Sequence, residues 1–317
     1  MDVSVVIPAY NCELTIARLL DSLEKQDTSY SYEVIVVDNE SSDTTAAIVL
    51  EFSNRCSVPL RLSRQPRGVT IATVRNFGAS LARGRGLAFI DSDCEPPLDW
   101  IQRGGAILDS WNWNVLLAGG CHPPVNGTWV EKAWHSTRSG HRQGSVFVHG
   151  ANFFIGKKIF DELGGFSPFL ETSEDYDLGK RVSEKYKLIA MPELSVIHYG
   201  EANTLLKKIV KERWYSKNIY KILSENIYYK PYWMSVIFIL NIVVMCMSVL
   251  FINMGLLAIS LFFILFSVSA LALFFCIRAK RYSFFIQLLP ISFAYILGRS
   301  IGVAEASLMF LVRRMKT

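Results

Sequence analysis

Apolar residues in the first half of the chain fall in short unbroken runs, each stopped by a polar or turn-forming residue. Val3-Ser4-Val5-Val6-Ile7 stops at Pro8, Glu33-Val34-Ile35-Val36-Val37 at Asp38, and Leu87-Ala88-Phe89-Ile90 at Asp91. Runs of this kind, with little alternation, predict strands covered on both faces. Helices are predicted over about 13–24, up to 52 and over 70–82, with one more strand over 59–63. Asn11 is placed to cap the first helix, and Ser41, Ser42 and Asp43 the second. Four alternations of strand and helix predict an α/β fold with a mostly parallel, doubly wound sheet and right-handed crossovers.

The pattern then loosens. A helix opens at Pro96-Pro97-Leu98-Asp99-Trp100, and a strand is expected over 115–118. Residues 121–144 match no element and are expected to form a loop over the site. Strand character returns over 145–155, followed by a short helix over 157–163 closed by Gly164-Gly165. Glu171-Thr172-Ser173-Glu174-Asp175 leads into a helix over 176–186, and a last strand ends near His198.

Beyond this point the chain changes character. Two apolar runs, 232–252 and 256–277, approach the ~20 residues that cross a bilayer as a helix. Asn253-Met254-Gly255 separates them, which predicts a hairpin. Lys230 on one side and Arg278, Lys280 and Arg281 on the other place both outer ends in the cytosol. Residues 283–312 are apolar but carry Gln287, Pro290, Arg299 and Glu305, and end in Arg313-Arg314-Met315-Lys316. A third crossing would export that basic tail, so interfacial or re-entrant helices are expected there. The predicted organisation is a globular domain (1–200), a basic and aromatic interface segment (201–231), a transmembrane hairpin (232–277) and a hydrophobic terminal segment (278–317).

Charge sharpens this division. The 317-residue chain carries a formal net charge of +5, and Lys207, Lys208, Lys211, Arg213, Lys217, Lys221 and Lys230 gather just before the apolar region. That position favours an anionic membrane surface or phosphate groups, and not nucleic acid, as the partner. The six cysteines form no paired spacing and read as free thiols in a reducing compartment. Met1 to Pro8 is already a strand without a basic leader, so the globular part is expected to face the cytosol from the plasma membrane.

Candidate chemistry concentrates at strand ends. Asp91 and Asp93 follow a buried strand, where open α/β sheets hold ligands. Two such oxygen donors suit Mg²⁺ or Mn²⁺ bridging to nucleotide phosphates. Asp38 ends the second strand and is placed to accept a hydrogen bond from a base or ribose. Glu174-Asp175 reads either as acids satisfying a helix N-terminus or as a general base, with Arg181 placed to orient the pair or meet a phosphate. His198, after the final strand, reads as a structural residue or a third metal ligand. Arg213-Trp214 reads as an interfacial anchor, or as a diphosphate and acceptor contact. The remaining histidines, His122, His135, His141 and His149, carry no role, and Cys121-His122 is too small a set for zinc. A nicotinamide site is a poor reading of this half because Pro8-Ala9-Tyr10-Asn11 lacks the glycines a pyrophosphate needs.

Together these segments resemble the family 2 inverting glycosyltransferases, which have the GT-A fold. The matching pieces are Val3 through Asn11, Val36-Val37-Asp38-Asn39-Glu40-Ser41-Ser42-Asp43, Gly68 with Arg75-Asn76-x-Gly78, and Asp91-Ser92-Asp93. Gly150-Ala151-Asn152, Lys157-Lys158, Gly164-Gly165-Phe166 and Glu174-Asp175-Tyr176-Asp177-Leu178 with Arg181 complete the set. The resemblance implies that Pro8, Tyr10 and Asp38 hold the nucleoside of a nucleotide sugar, with Asn39, Arg75, Glu174 and Arg181 in the substrate-binding set. It implies that Asp91 and Asp93 bind the divalent cation and the ribose and diphosphate around it. Asp175 is implied as the base and His198 as a third metal contact. Arg213-Trp214 matches part of a Gln-x-x-Arg-Trp motif in which Val210 replaces the Gln here, and Asp38-Asn39-Glu40 departs from the commoner Asp-Asp-Gly. The implied activity is single-displacement transfer of one sugar to a hydroxyl of a membrane-held acceptor such as a polyprenyl-linked saccharide. The competing readings are transfer to a polyprenyl phosphate itself, and an inactive membrane-bound nucleotide-sugar-binding scaffold.

Overall fold

The computed structural model describes residues 1–137, 148–216, 219 and 228–315, with side chains up to 309. His141, Lys217, Lys221, Lys316, the side chains of Arg313 and Arg314, and residues 138–147 of the expected loop and strand lie outside the described residues. The chain divides into two compact units, one comprising 1–124 and 141–200, the other 125–140 and 201–317.

The first unit is built on an eight-stranded sheet of order β3-β2-β1-β4-β7-β6-β8-β5. The strands are β1 (Val3–Ala9), β2 (Tyr32–Asp38), β3 (Leu60–Arg64), β4 (Gly86–Ile90), β5 (Cys94–Glu95), β6 (Val115–His122), β7 (Asn152–Gly156) and β8 (Lys187–His198). The predicted parallel half is present: β1 pairs in parallel with both β2 and β4, and β2 with β3. Beyond β4 the direction alternates, because β7 runs antiparallel to both β4 and β6, while β6 and β8 are parallel. The short β5, not foreseen from the sequence, pairs antiparallel with β8.

Period-two burial explains why these runs are apolar throughout. Val5, Ile7, Val34, Val36, Ala88 and Ile90 face α1 (Ile16–Glu24), α2 (Thr45–Arg55) and α4 (Trp100–Ser110). Their alternates Val6, Ile35, Val37, Leu87 and Phe89 face the other side. There they meet α3 (Ile71–Leu81), α6 (Lys157–Glu162) and α7 (Glu174–Lys185). Phe89 is fully buried, its ring 4.8 Å from Phe153, 5.3 Å from Phe160 and 5.2 Å from Phe166. Asn11 does not cap α1: its Oδ1 accepts the Ser42 N–H at 2.8 Å, tying the β1 turn to the β2 turn. Asp43 likewise accepts from Thr45 and Glu13, so these polar groups fasten two strand ends together.

The second unit holds α5 (Trp129–Ser136), α8 (Leu205–Tyr215), α9 (Lys230–Leu250), α10 (Met254–Ala279) and α11 (Phe285–Met315). α5 lies in the stretch expected to be loop, and Thr128 and Glu131 form a capping box at its start. α9 and α10 are the two arms of the expected hairpin, with the Asn253 side chain accepting from the Leu256 N–H at the start of α10. Within the terminal segment expected to form interfacial or re-entrant helices, residues 282–284 form a short 3-10 turn and residues 285–315 the single long helix α11. Pro290 lies inside this helix and offers no N–H to the carbonyl of Ile286, one turn earlier. All three long helices have the length and composition to cross a membrane, with mean hydropathies of 2.4, 2.6 and 1.5.

α8 does not present all its bases outward. Lys208 is 1% exposed; its Nζ donates to Glu212 Oε1 at 2.6 Å and stands 3.0 Å from the Trp134 ring centroid. Arg299 of α11 donates to the other Glu212 oxygen at 2.7 Å. Lys211 pairs with Glu201, and Arg213 with Glu305. Gly298 and Gly302 allow this seating, since a Cβ on either would fall 2.4 Å or 2.5 Å from a backbone oxygen of α8.

Candidate active site

Register places the predicted acids along one edge. Ala9 pairs with Asp38 and Ile90 with Asn152, so the ends of β1, β2 and β4 and the start of β7 lie together. Pro8 is buried within β1, and Tyr10, just beyond it, is half exposed. Asp38 is buried; its Oδ1 accepts the Ser41 N–H at 3.1 Å and its Oδ2 lies 3.8 Å from Arg64 Nε. The Asn39 N–H donates to the Ala9 carbonyl at 2.8 Å, while its side-chain Oδ1 is buried with no hydrogen-bond partner among the described residues.

Antiparallel β7 carries the loop before it to Asp91, whose N–H donates to the Ala151 carbonyl at 3.3 Å. Arg75 of α3, 2% exposed, reaches the same point from beneath. Its Nη2 donates to Asp91 Oδ1 at 2.7 Å and to the Gly150 carbonyl at 3.1 Å, and its Nη1 donates to Glu174 Oε1. The Gly150 N–H then donates to Asp175 Oδ2 at 2.8 Å, and the Tyr176 N–H to Asp175 Oδ1 at 2.8 Å.

Charge in this cluster is unbalanced, with three carboxylates around one guanidinium. Burial alone disfavours the Arg75 cation, but Asp91, Glu174 and Asp175 outweigh it and hold its pKa above the ordinary value. Burial pushes the Glu174 carboxyl up to about 7; Arg75 opposes this, and Asp175 and Asp91 add to it. The Asp175 carboxyl is also raised by burial, against the Gly150 and Tyr176 N–H groups and Arg75. A carboxylate of raised basicity, held by two backbone donors, is suited to accept a proton.

Asp93 is brought to His198 by the unforeseen β5. Cys94 pairs with His198 across β5 and β8, and the Tyr199 N–H donates to the Asp93 carbonyl at 2.8 Å. His198 Nε2 consequently lies 3.2 Å from Asp93 Oδ1. Cys94 Sγ completes a group whose ligand atoms all lie within 4.8 Å of one another. Its thiol is buried and its pKa is pushed well above the ordinary value by burial and by Cys121, so it stays protonated and packs as core. The carboxylate and imidazole that remain fit a divalent ion of the Mn²⁺ or Mg²⁺ type. Asp91, grouped with them in the sequence reading, lies outside this donor group and faces Arg75 instead.

Other predicted residues are placed elsewhere. Arg181 does not reach the acid pair: it donates to Asp177 and to the carbonyls of Leu163 and Gly165, each of these two carbonyl bonds being 2.8 Å. The reason is helical geometry, since Arg181 lies about two turns along α7 from Glu174, roughly 10 Å. Arg213 makes a two-pronged pair with Glu305, and Trp214 lies against Tyr215, both in the second unit. Two glycines matter that side-chain chemistry did not single out. A Cβ at Gly200 would fall 1.7 Å from Asp93 Oδ2, and one at Gly150 would crowd both Arg75 and Asp175.

The first unit thus sets carboxylates and a histidine at one edge of a mixed sheet, and long apolar helices follow in the chain. The model of glycosyl transferase family 2 matches residues 4–175. Glycosyltransferase AglE of Haloferax volcanii is 30% identical over 220 residues, covering 65% of this chain and 70% of AglE. WfgD of Escherichia coli, a UDP-Glc:α-D-GlcNAc-diphosphoundecaprenol β-1,3-glucosyltransferase, is 41% identical over 91 residues. That match covers 29% of this chain and 34% of WfgD. Among solved structures, the mannosyltransferase PcManGT of Pyrobaculum calidifontis in complex with GDP-Man and Mn²⁺ has a TM-score of 0.55 at 19% identity. The likeness covers 70% of this chain and 64% of that one. The chain belongs to glycosyl transferase family 2, and its first unit has the GT-A type of fold.

Proposed function

We propose that this protein is a membrane-anchored inverting glycosyltransferase. It moves one sugar from a nucleotide-sugar donor to a hydroxyl of a membrane-held acceptor, a polyprenyl-linked saccharide. The observation that carries the reading is the pair of devices on one sheet edge: Asp93 with His198, and Asp175 held by two backbone N–H groups. Asp38 and Asn39 Oδ1, which has no hydrogen-bond partner among the described residues, are acceptors for the nucleoside beside Tyr10. Asp175 takes the proton of the acceptor hydroxyl as it attacks the anomeric carbon, and one displacement inverts the configuration there. Asp93 and His198 would hold Mg²⁺ or Mn²⁺, which would supply charge neutralisation for the departing diphosphate.

The acceptor class rests on the three apolar helices and on what WfgD acts upon. The bases flanking the hairpin support a catalytic unit on the cytosolic face of the plasma membrane. The test uses the full chain in detergent with Mn²⁺, a lipid extract and a panel of UDP-, GDP- and dTDP-sugars. Consumption of one donor, a lipid-extractable product of inverted configuration, and loss of turnover with retained donor binding in Asp175→Asn are expected. Undiminished turnover by Asp175→Asn favours the lipid phosphate as acceptor, and no turnover with any donor favours a scaffold.

A further inference from the structure

Arg75 was expected to touch substrate, yet the guanidinium is 2% exposed and both terminal nitrogens already serve protein acceptors. We infer that Arg75 is a positioning residue that fixes the base, Asp175, through the backbone of Gly150 while holding Asp91 and Glu174 from below. The inference rests on the assignment of Asp175 as base.

The linkage is continuous. Arg75 Nη2 holds the Gly150 carbonyl at 3.1 Å, and the N–H of the same residue holds Asp175 Oδ2 at 2.8 Å. Nη2 also holds Asp91 Oδ1 at 2.7 Å, so one nitrogen ties the donor edge to the loop that orients the base. Nη1 takes Glu174, the residue just before Asp175, and pins the first turn of α7. The planar fork spaces two nitrogens to meet acceptors on three segments; an ammonium keeps the charge and loses that geometry. Gly150 is the narrow point. A Cβ there would stand 3.0 Å from Arg75 Nη2 and 3.2 Å from Asp175 Oδ2, between the two groups it joins. A glycine at this place lets the arginine and the base approach the backbone of one residue, at its carbonyl and at its N–H.

The test compares Arg75→Lys and Gly150→Ala with the wild-type full chain, using the nucleotide sugar that gives turnover in the panel above. A positioning role lowers kcat about a hundredfold, the loss that small misplacement of a reacting group brings, with the donor Kd by calorimetry unchanged within threefold. Gly150→Ala gives the same split and carries the test if Arg75→Lys fails to fold. In the Asp175→Asn background Arg75→Lys then causes no further loss, because both changes disable one device. A tenfold weaker donor Kd at unchanged kcat overturns the inference, since Arg75 then acts on the donor. Losses that multiply in the double variant overturn it while leaving the base assignment standing. Full turnover by Asp175→Asn alone overturns the base assignment, and the inference with it.

Discussion

His198 Nε2 lies 3.2 Å from Asp93 Oδ1 because Cys94 and His198 pair across a two-residue strand. The pairing fixes the imidazole and carboxylate by backbone register, and a metal-binding consequence follows. Mn²⁺ at a hundred times its Kd raises the stability of a protein that binds it only when folded by about 2.7 kcal/mol. Thermal unfolding in detergent with and without Mn²⁺ is expected to show this gain in the wild type and to lose it in Asp93→Asn and in His198→Ala. An equal Mn²⁺ shift in both variants would remove the pair from consideration.

Gly200 guards the same pair. A Cβ at that position would sit 1.7 Å from Asp93 Oδ2, so Gly200→Ala must push the carboxylate or the backbone aside. Overpacking of this kind costs about 1–3 kcal/mol. Mn²⁺ affinity is expected to fall about tenfold or more, which titration followed by calorimetry measures.

Glu174 gives a pH dependence with a definite sign. Its carboxyl rises from 4.5 to about 7 on folding, so the folded state favours the protonated form. The stability this contributes is fully present below about 4.5 and is lost as pH rises through about 7, an effect of about 3 kcal/mol. Asp175, shifted the same way, adds to the slope. Denaturation midpoints between pH 5 and 8 are expected to fall with pH in the wild type and to flatten in Glu174→Gln. A wild type more stable at pH 8 than at pH 5 contradicts this.

Asn152 fastens three elements from within the sheet. Its Oδ1 accepts from Trp100 Nε1 at 3.1 Å, and its Nδ2 donates to the carbonyls of Gly120 and Leu194 at 2.8 Å and 2.7 Å. Asn152→Ala leaves these buried groups without that partner, each at a cost of about 1–3 kcal/mol. Thermal unfolding is expected to reveal one of the larger single-residue losses in the first unit, and a change of a few tenths of a kcal/mol would contradict it.

In the second unit, Glu212 is the common partner of Lys208 and Arg299, and all three side chains are largely buried. Glu212→Gln removes the carboxylate that both buried cations share, for which a loss of about 3–5 kcal/mol is expected. Replacing Lys208 and Glu212 together with Met and Leu is expected to recover part of it, as measured by thermal unfolding in detergent.

The central strands were legible because each is a run of apolar residues long enough to be covered on both faces. That Asp91 and Asp93 stand just past the end of a central strand was legible because such a run stops there, but not that a turn sends them to different partners. Strand direction was less so: β7 reads as apolar in either orientation, and only pairing with β4 shows it to be reversed. The two residues of β5 carry no periodicity. α5 did leave a signal, Thr128 three positions before Glu131, within a stretch whose Gly and His content suggested a loop. Lys208 and Arg181 illustrate a different limit. A charged residue four positions from its partner reads the same on a buried helix face as on a wet one, and only tertiary packing tells them apart.

The excursion from residue 125 to 140 belongs to the second unit although its neighbours in sequence belong to the first. Trp134 packs there against Lys208, Phe275 and Tyr295. A soluble fragment made by stopping at Gly200 would therefore carry α5 without those companions and bare an indole and Val130 to water. Such a fragment should self-associate. Cutting α5 back to a short polar linker as well would spare the first unit that exposed apolar surface.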